Sequence, residues 1–202
     1  MQPPDWYGRD VSRETLAKLE DYAALLRKWT AKINLVSKAS ESDLEMRHIW
    51  DSAQIYGREE GQWLDLGSGG GLPGVVIGIL AQGEGQNLVV KLVESDQRKA
   101  TFLRTCAREL DLPIEISTQR VEDLERHSAN VVSARALAPL HVLLNFAAPH
   151  LASNGTCIFM KGAAWQEEIA HAQKNWRFSY EATTSKTNEK AAVLRIKDIE
   201  RV

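Results

Sequence analysis

The run Trp63-Leu-Asp-Leu-Gly-Ser-Gly-Gly-Gly-Leu-Pro-Gly74 constrains the fold more than any other part of the chain. An apolar strand breaks into a glycine-rich loop and then feeds a helix. Glycines permit positive φ and let a ligand lie against bare backbone, and a helix start offers free N–H groups. The flanking pattern extends this unit. Strand-like runs are predicted at Trp63–Leu66, Leu88–Glu94, Ile114–Thr118, Asn130–Ala134, Thr156–Lys161, Phe178–Thr184 and Ala192–Ile196, with helical runs beginning near Gly74, Arg98, Val121, Pro139 and Trp165. Up to Lys161 the strands are mostly apolar without alternation, as strands covered on both faces are. The last two have no long helical spacer, as in an antiparallel pair. The expected class is therefore α/β, Rossmann-like, a mostly parallel seven-stranded sheet with helices on both faces.

Two helices are expected before the first strand. Ser12 is a good N-cap, and Leu16, Leu19, Ala23, Leu26, Trp29 and Ile33 recur at the spacing of an amphipathic helix. A second helical stretch is predicted from about Ser40 to Tyr56, stopped by Gly57. No Pro/Gly-rich linker follows. Residues 1–60 are thus expected to be a helical extension packed on a main domain of residues 61–202.

Composition narrows the class further. The chain has 202 residues, 44% of them hydrophobic, and two cysteines. No apolar run approaches the roughly 20 residues that span a bilayer. Met1-Gln-Pro-Pro-Asp-Trp6 lacks the layout of a signal peptide, so a cytoplasmic protein without membrane contact is expected. Cys106 and Cys157 lie outside any Cys-x-x-Cys and read as small buried hydrophobes, with no metal site. Net charge is −2, yet both ends are basic: seven basic residues face four acidic ones from Arg9 to Lys38, and again from His171 onward. Such ends suit phosphate contacts or merely solvated helical faces.

The loop implies a nucleoside ligand. Glu94 closes the second predicted strand, where a carboxylate accepts hydrogen bonds from both hydroxyls of an adenosine ribose. Gly69, Gly71 and Gly74 satisfy the G-x-G-x-x-G dinucleotide pattern, but Pro73 brings no N–H to a place where a pyrophosphate wants a donor. A phosphate-free ligand fits better, and S-adenosylmethionine is one. A nicotinamide dinucleotide and a purely structural tight turn are the alternatives.

At this point the sequence resembles the bacterial small-subunit rRNA methyltransferase G family, also called glucose-inhibited division protein B. The matching segments are Lys28-Trp-Thr-Ala-Lys-Ile-Asn-Leu-Val-Ser37, Arg47-His-Ile-Trp-Asp-Ser52, the loop Leu64 to Gly74, Val93-Glu-Ser95 with Lys99 and Phe102-Leu103, Arg120-Val-Glu122, Ser133-Ala-Arg-Ala136 and Lys161-Gly162. Gly70 stands where many members carry Pro, and Ala134 separates Ser133 from Arg135 where Ser-Arg is usual. The resemblance implies a class I S-adenosylmethionine-dependent methyltransferase acting on N7 of a guanosine in 16S rRNA, with 16S rRNA or the 30S particle as partner; a monomer is expected. It implies cofactor contacts at Gly67, Leu72, Val121, Glu122 and Arg135; Ser68, Gly69 and Glu94 join them from the loop and strand reading. Lys28, Lys32, Arg47, His48 and Lys161 are the candidate RNA contacts.

Methylation at N7 uses an in-plane lone pair that carries no proton, so no general base is expected. The work is positioning, worth roughly 7–11 kcal/mol. Arg135 is the candidate for that role, by holding the methionine carboxylate or a phosphate, or else it pairs structurally with a neighbouring acid. Neither cysteine follows Pro, as a carbon-5 pyrimidine methyltransferase would require, and Ala134-Arg-Ala-Leu-Ala-Pro139 stands where an exocyclic-amine methyltransferase has its Pro-Pro turn. His48, Asp51 and Ser52 share one helical face and imitate a hydrolase triad by type. A single helix cannot normally aim all three at one atom, so they are expected to bond the N-terminal helices to the glycine loop and help form an RNA-facing wall, with a purely structural polar cluster as the alternative. The rival readings are a methyltransferase of the same fold acting on a small molecule or protein, and a non-catalytic nucleic-acid-binding module.

Overall fold

The structure is a computed structural model that describes residues 1–37, 43–57 and 59–202. After a short 3-10 turn at Asp5–Tyr7, helix α1 spans Arg13–Thr30. The Ser12 Oγ accepts from the Thr15 N–H at 3.1 Å, as the N-cap reading expects. Leu19, Tyr22, Ala23 and Leu26 form the buried stripe of α1. The helix stops before Ile33, whose N–H folds back onto the Trp29 carbonyl in a turn. A π-helical segment, Glu45–Trp50, then runs into α2, Asp51–Ala53. The predicted start at Ser40 lies outside the described residues.

Seven strands among the described residues form one sheet: β1 (Gly61–Leu66), β2 (Leu88–Val93), β3 (Ile114–Ser117), β4 (Ala129–Arg135), β5 (Leu151–Lys161), β6 (Trp176–Thr184) and β7 (Ala192–Arg201). Their order is β3-β2-β1-β4-β5-β7-β6. The β1 to β5 pairings are parallel, while β7 runs antiparallel between β5 and β6. The crossovers are α3 (Gly74–Gly83), α4 (Gln97–Glu109) and α5 (Leu140–Ala147); α6 (Trp165–Ala172) leads to the terminal hairpin. The helical run expected at Val121 is one 3-10 turn, Val121–Asp123, with no buried residue to anchor a longer helix.

Each strand sends alternate side chains to opposite faces. Trp63, Val90, Leu92, Val131 and Ile158 join α1, α3 and α4 in one core; Leu64, Leu66, Val132, Ala134 and Phe159 join α5 and α6 in the other. The first core also takes in Tyr7, Leu44, Ile49 and Trp50, so the N-terminal segment shares apolar packing with the sheet. Burial of each such large side chain contributes roughly 1.5–3 kcal/mol. Cys106 and Cys157 are buried free thiols, raised in pKa by that burial.

Candidate functional site

β1 and β4 lie side by side and end at the glycine loop, where a chain of buried polar groups fixes its shape. Asp65, with no solvent exposure, accepts from the Ser133 hydroxyl at 2.6 Å and from the Gly74 N–H at 3.3 Å. The Ser133 oxygen in turn accepts from the Trp63 indole N–H at 2.8 Å. Burial pushes the Asp65 carboxyl up to about 6, against the donors Ser133 and Gly74 that favour its charged form. Helix α1 clamps the loop from outside, its Tyr22 hydroxyl donating to the Gly70 carbonyl at 2.5 Å.

Gly67 and Gly69 hold φ of +63° and +56°, the left-handed region. A Cβ on Gly67 would stand 2.5 Å from Leu137, whereas one on Gly69 would meet nothing nearer than 3.8 Å, because the space above it is open cavity. Glu94, nearly buried, lies beside it. Its Oε2 accepts from the Gly69 N–H and its Oε1 from the Asp96 N–H, both at 2.8 Å. Gly67, Gly69, Glu94, Lys99, Val121 and Glu122 are among the residues lining a cavity of about 360 Å³.

Most amides of this loop are already committed. Ser68 N–H bonds to Val93, those of Gly71 and Leu72 to Ser68, and that of Val75 to Gly71. Gly69 and Gly74 serve carboxylates, and Pro73 has no N–H. A pyrophosphate would therefore find few donors, while a ribose diol would find the carboxylate of Glu94 and bare backbone. The residues present fit S-adenosylmethionine and fit a dinucleotide poorly.

Ser68 and Leu72 do not line that cavity. Ser68 turns its hydroxyl to the Asp65 carbonyl at 3.0 Å, and the Leu72 side chain packs in the first core. Arg135 points elsewhere too. Its guanidinium donates to the Arg47 carbonyl at 2.9 Å and to His48 Nδ1 at 2.8 Å, and it pairs with Asp51 at 3.5 Å. These groups belong to a second cavity of about 590 Å³, which shares Ala136 and Leu137 with the first. Arg47, His48, Asp51, Arg135 and Lys161 all line it.

An arginine can only donate, so His48 Nδ1 is an acceptor and the ring is neutral. Burial, with the positive Arg135 and Arg47, lowers its pKa to about 4. Lys161 is a buried strut, paired with Glu168 at 2.7 Å and donating to the Ala138 carbonyl at 2.9 Å. Glu168 also accepts from the Leu140 N–H at 2.6 Å. Lys28 and Lys32 lie apart from both cavities: Lys28 beside Asp21 and Glu109, Lys32 beside Arg98 and Lys99.

Asp51 organises the second cavity. Its Oδ1 accepts from Gln54 Nε2 at 2.8 Å, from Ser185 Oγ at 3.1 Å, and from the Thr187 hydroxyl. The N-terminal segment, the end of β4 and the β6–β7 loop thus meet at one carboxylate. Gln54, Ser185, Thr187 and Asn188 are lining residues that sequence reasoning missed; for the last three, nothing in the linear pattern of the terminal hairpin marks it as part of a site.

A doubly wound sheet of this order, with a glycine loop after β1 and a carboxylate after β2, defines a class I S-adenosylmethionine-dependent methyltransferase. Solved structures share that fold. An O-methyltransferase from Bacillus cereus, in complex with S-adenosylhomocysteine, aligns with a TM-score of 0.62 at 11% identity, covering 90% of this chain and 91% of that one. A SAM-dependent methyltransferase from Aquifex aeolicus aligns at 0.57 and 10% identity, covering 79% and 94%. The family profile described as GidB, rRNA small subunit methyltransferase G, matches residues 15–195. Proteins named ribosomal RNA small subunit methyltransferase G are 49% identical over 195 residues in a Ruegeria species (96% of this chain, 95% of the relative) and 51% over 191 residues in Cereibacter sphaeroides (93% and 92%). The chain belongs to the rRNA small subunit methyltransferase G family. Among the described residues no helix is long and apolar enough to cross a membrane, and no His/Cys/Asp/Glu cluster could hold a metal.

Proposed function

We propose that the chain methylates N7 of a guanosine in 16S rRNA, as a monomer in the cytoplasm, with the nucleoside of S-adenosylmethionine in the smaller cavity and the acceptor base in the larger. The observation that carries this reading is the meeting of the two cavities at Ala136 and Leu137, at the carboxyl edge of the sheet. Gly67, Gly69, Glu94, Val121 and Glu122 would hold the cofactor, which supplies a methyl group on an electrophilic sulfonium.

The polar residues of the larger cavity support an acceptor that needs no deprotonation. The carboxylates of Asp51 and Glu168 each already accept several donors, and the Nδ1 lone pair of His48 is taken by Arg135. Proton uptake by Glu168 would weaken its ion pair with Lys161, and by Asp51 its pairing with Arg135. Guanine N7 makes no such demand, and positioning alone can supply the rate. The test is to map 7-methylguanosine in 16S rRNA from cells with and without this gene, and to supply purified protein with labelled donor and 16S rRNA or 30S particles. Label appearing as 7-methylguanosine supports the reading. Its absence from both substrates, or its appearance at another base atom, would overturn it.

A further inference from the structure

Resting on that reading, we infer that the cavity between the turn after α1 and the first turn of α4 is a groove for phosphates of the rRNA strand flanking the target base, gripped by Lys32, Arg98 and Lys99. Its volume is about 340 Å³, and its walls are these three cations with Ile33, Asn34 and Asp96. The single acid does not neutralise the set. Asp96 is the N-cap of α4: its Oδ1 accepts from the backbone N–H groups of Arg98 and Lys99 at 2.8 and 3.1 Å, and its Oδ2 stands 3.5 Å from the Arg98 guanidinium. The helix end is therefore already capped, so the attraction comes from the side chains. Lys32 is exposed, Lys99 half-buried, and neither has an ion-pair partner among the described residues. In a chain of net charge −2, this excess of positive charge is local.

Its place in the molecule identifies the partner. Lys99 lines both this groove and the cofactor cavity. From Asn34 the backbone continues through Leu35 and Val36, which line a neighbouring shallow cavity, to Ser37, which lines the acceptor cavity. Four residues span at most ~14 Å. A strand with its target base in the acceptor cavity can thus lay its neighbouring phosphates into the cationic groove without leaving this surface. Unpartnered ammonium groups beside an exposed guanidinium bind phosphates mainly through counterion release, which is independent of sequence.

The experiment is the salt dependence of 16S rRNA binding, by filter retention between 50 and 200 mM KCl. The wild type is compared with the double variant Lys32→Gln/Arg98→Gln, and calorimetry with S-adenosylhomocysteine verifies the fold and cofactor site of each. The slope of log affinity against log salt should become shallower by about 1.4, or 0.7 per lost phosphate contact, so that the wild-type advantage shrinks about sevenfold across that range. Lys32→Arg/Arg98→Lys should restore the slope. If the double variant does not bind S-adenosylhomocysteine, Lys32→Gln alone should show half the change. An unchanged slope in a variant that retains S-adenosylhomocysteine binding would overturn the groove and leave the methyltransferase reading standing. Salt-independent binding or no rRNA binding by the wild type would remove the proposed substrate, and the groove with it.

Discussion

Replacing Glu94 by Gln tests the cofactor site at its most determined atom pair. Each Glu94 oxygen is already held by one backbone donor, Gly69 N–H on Oε2 and Asp96 N–H on Oε1. A carboxylate has about four lone-pair positions, so two are left to face the cavity. A glutamine of the same shape turns an NH2 toward one of those backbone N–H groups and keeps a single, neutral oxygen for the ribose. Loss of charge assistance costs about 1.5 kcal/mol, and the donor facing a donor about as much again. The sum, about 3 kcal/mol, weakens S-adenosylhomocysteine binding roughly 100-fold in calorimetry. A 2′-deoxy analogue makes the test specific: it should bind the wild type far more weakly than the parent ligand does, and bind Glu94→Gln with little further loss. A coupling below ~0.5 kcal/mol in that cycle would show that Glu94 does not meet the diol.

Two further outcomes follow from the polar network. Arg135→Ala should lower methyl transfer roughly 100-fold, by loss of charged hydrogen bonds that shape the acceptor cavity, while S-adenosylhomocysteine affinity stays within about threefold; an equal loss in both would move Arg135 to the cofactor. Asp65 should make stability depend on pH: its folded-state pKa of about 6 lies above the ordinary 3.8, so the folded protein binds the extra proton between them, and stability falls by about 3 kcal/mol as pH rises through that window. Asp65→Asn should remove this fall, read as the difference between the two proteins' urea midpoints from pH 4 to 7. Taking the difference is essential, because His48, lowered to about 4, gains the folded state stability as pH rises over the same range. Parallel wild-type and variant curves would refute the assignment to Asp65.

The parts of the molecule legible in its sequence are those whose chemistry lies in the backbone. The glycine loop and Glu94 act through φ angles, amides and a position at the end of a strand, and each leaves a local mark in the chain. Strand ends were less legible where solvent tolerates polar residues. β5 begins at Leu151, not Thr156, because Leu151 pairs with Ala129 across an irregularity that exposes Ser153 and Asn154, and β7 runs on to Arg201 against an exposed β6. The larger cavity left no such mark. The strand pattern puts Arg135 at the sheet edge, but its direction is set by Arg47, His48 and Asp51, more than 80 residues earlier, and Asp51 is itself held by Ser185 and Thr187 from the far hairpin. Seen alone, the His48, Asp51 and Ser52 face is an ambiguous polar stripe. Packed against the end of β4 it becomes one wall of a cavity, with Asp51 as the joint. The N-terminal segment consequently does more than cover the sheet, because among the described residues it supplies the acceptors Arg47, His48 and Asp51 that turn the Arg135 guanidinium toward the larger cavity.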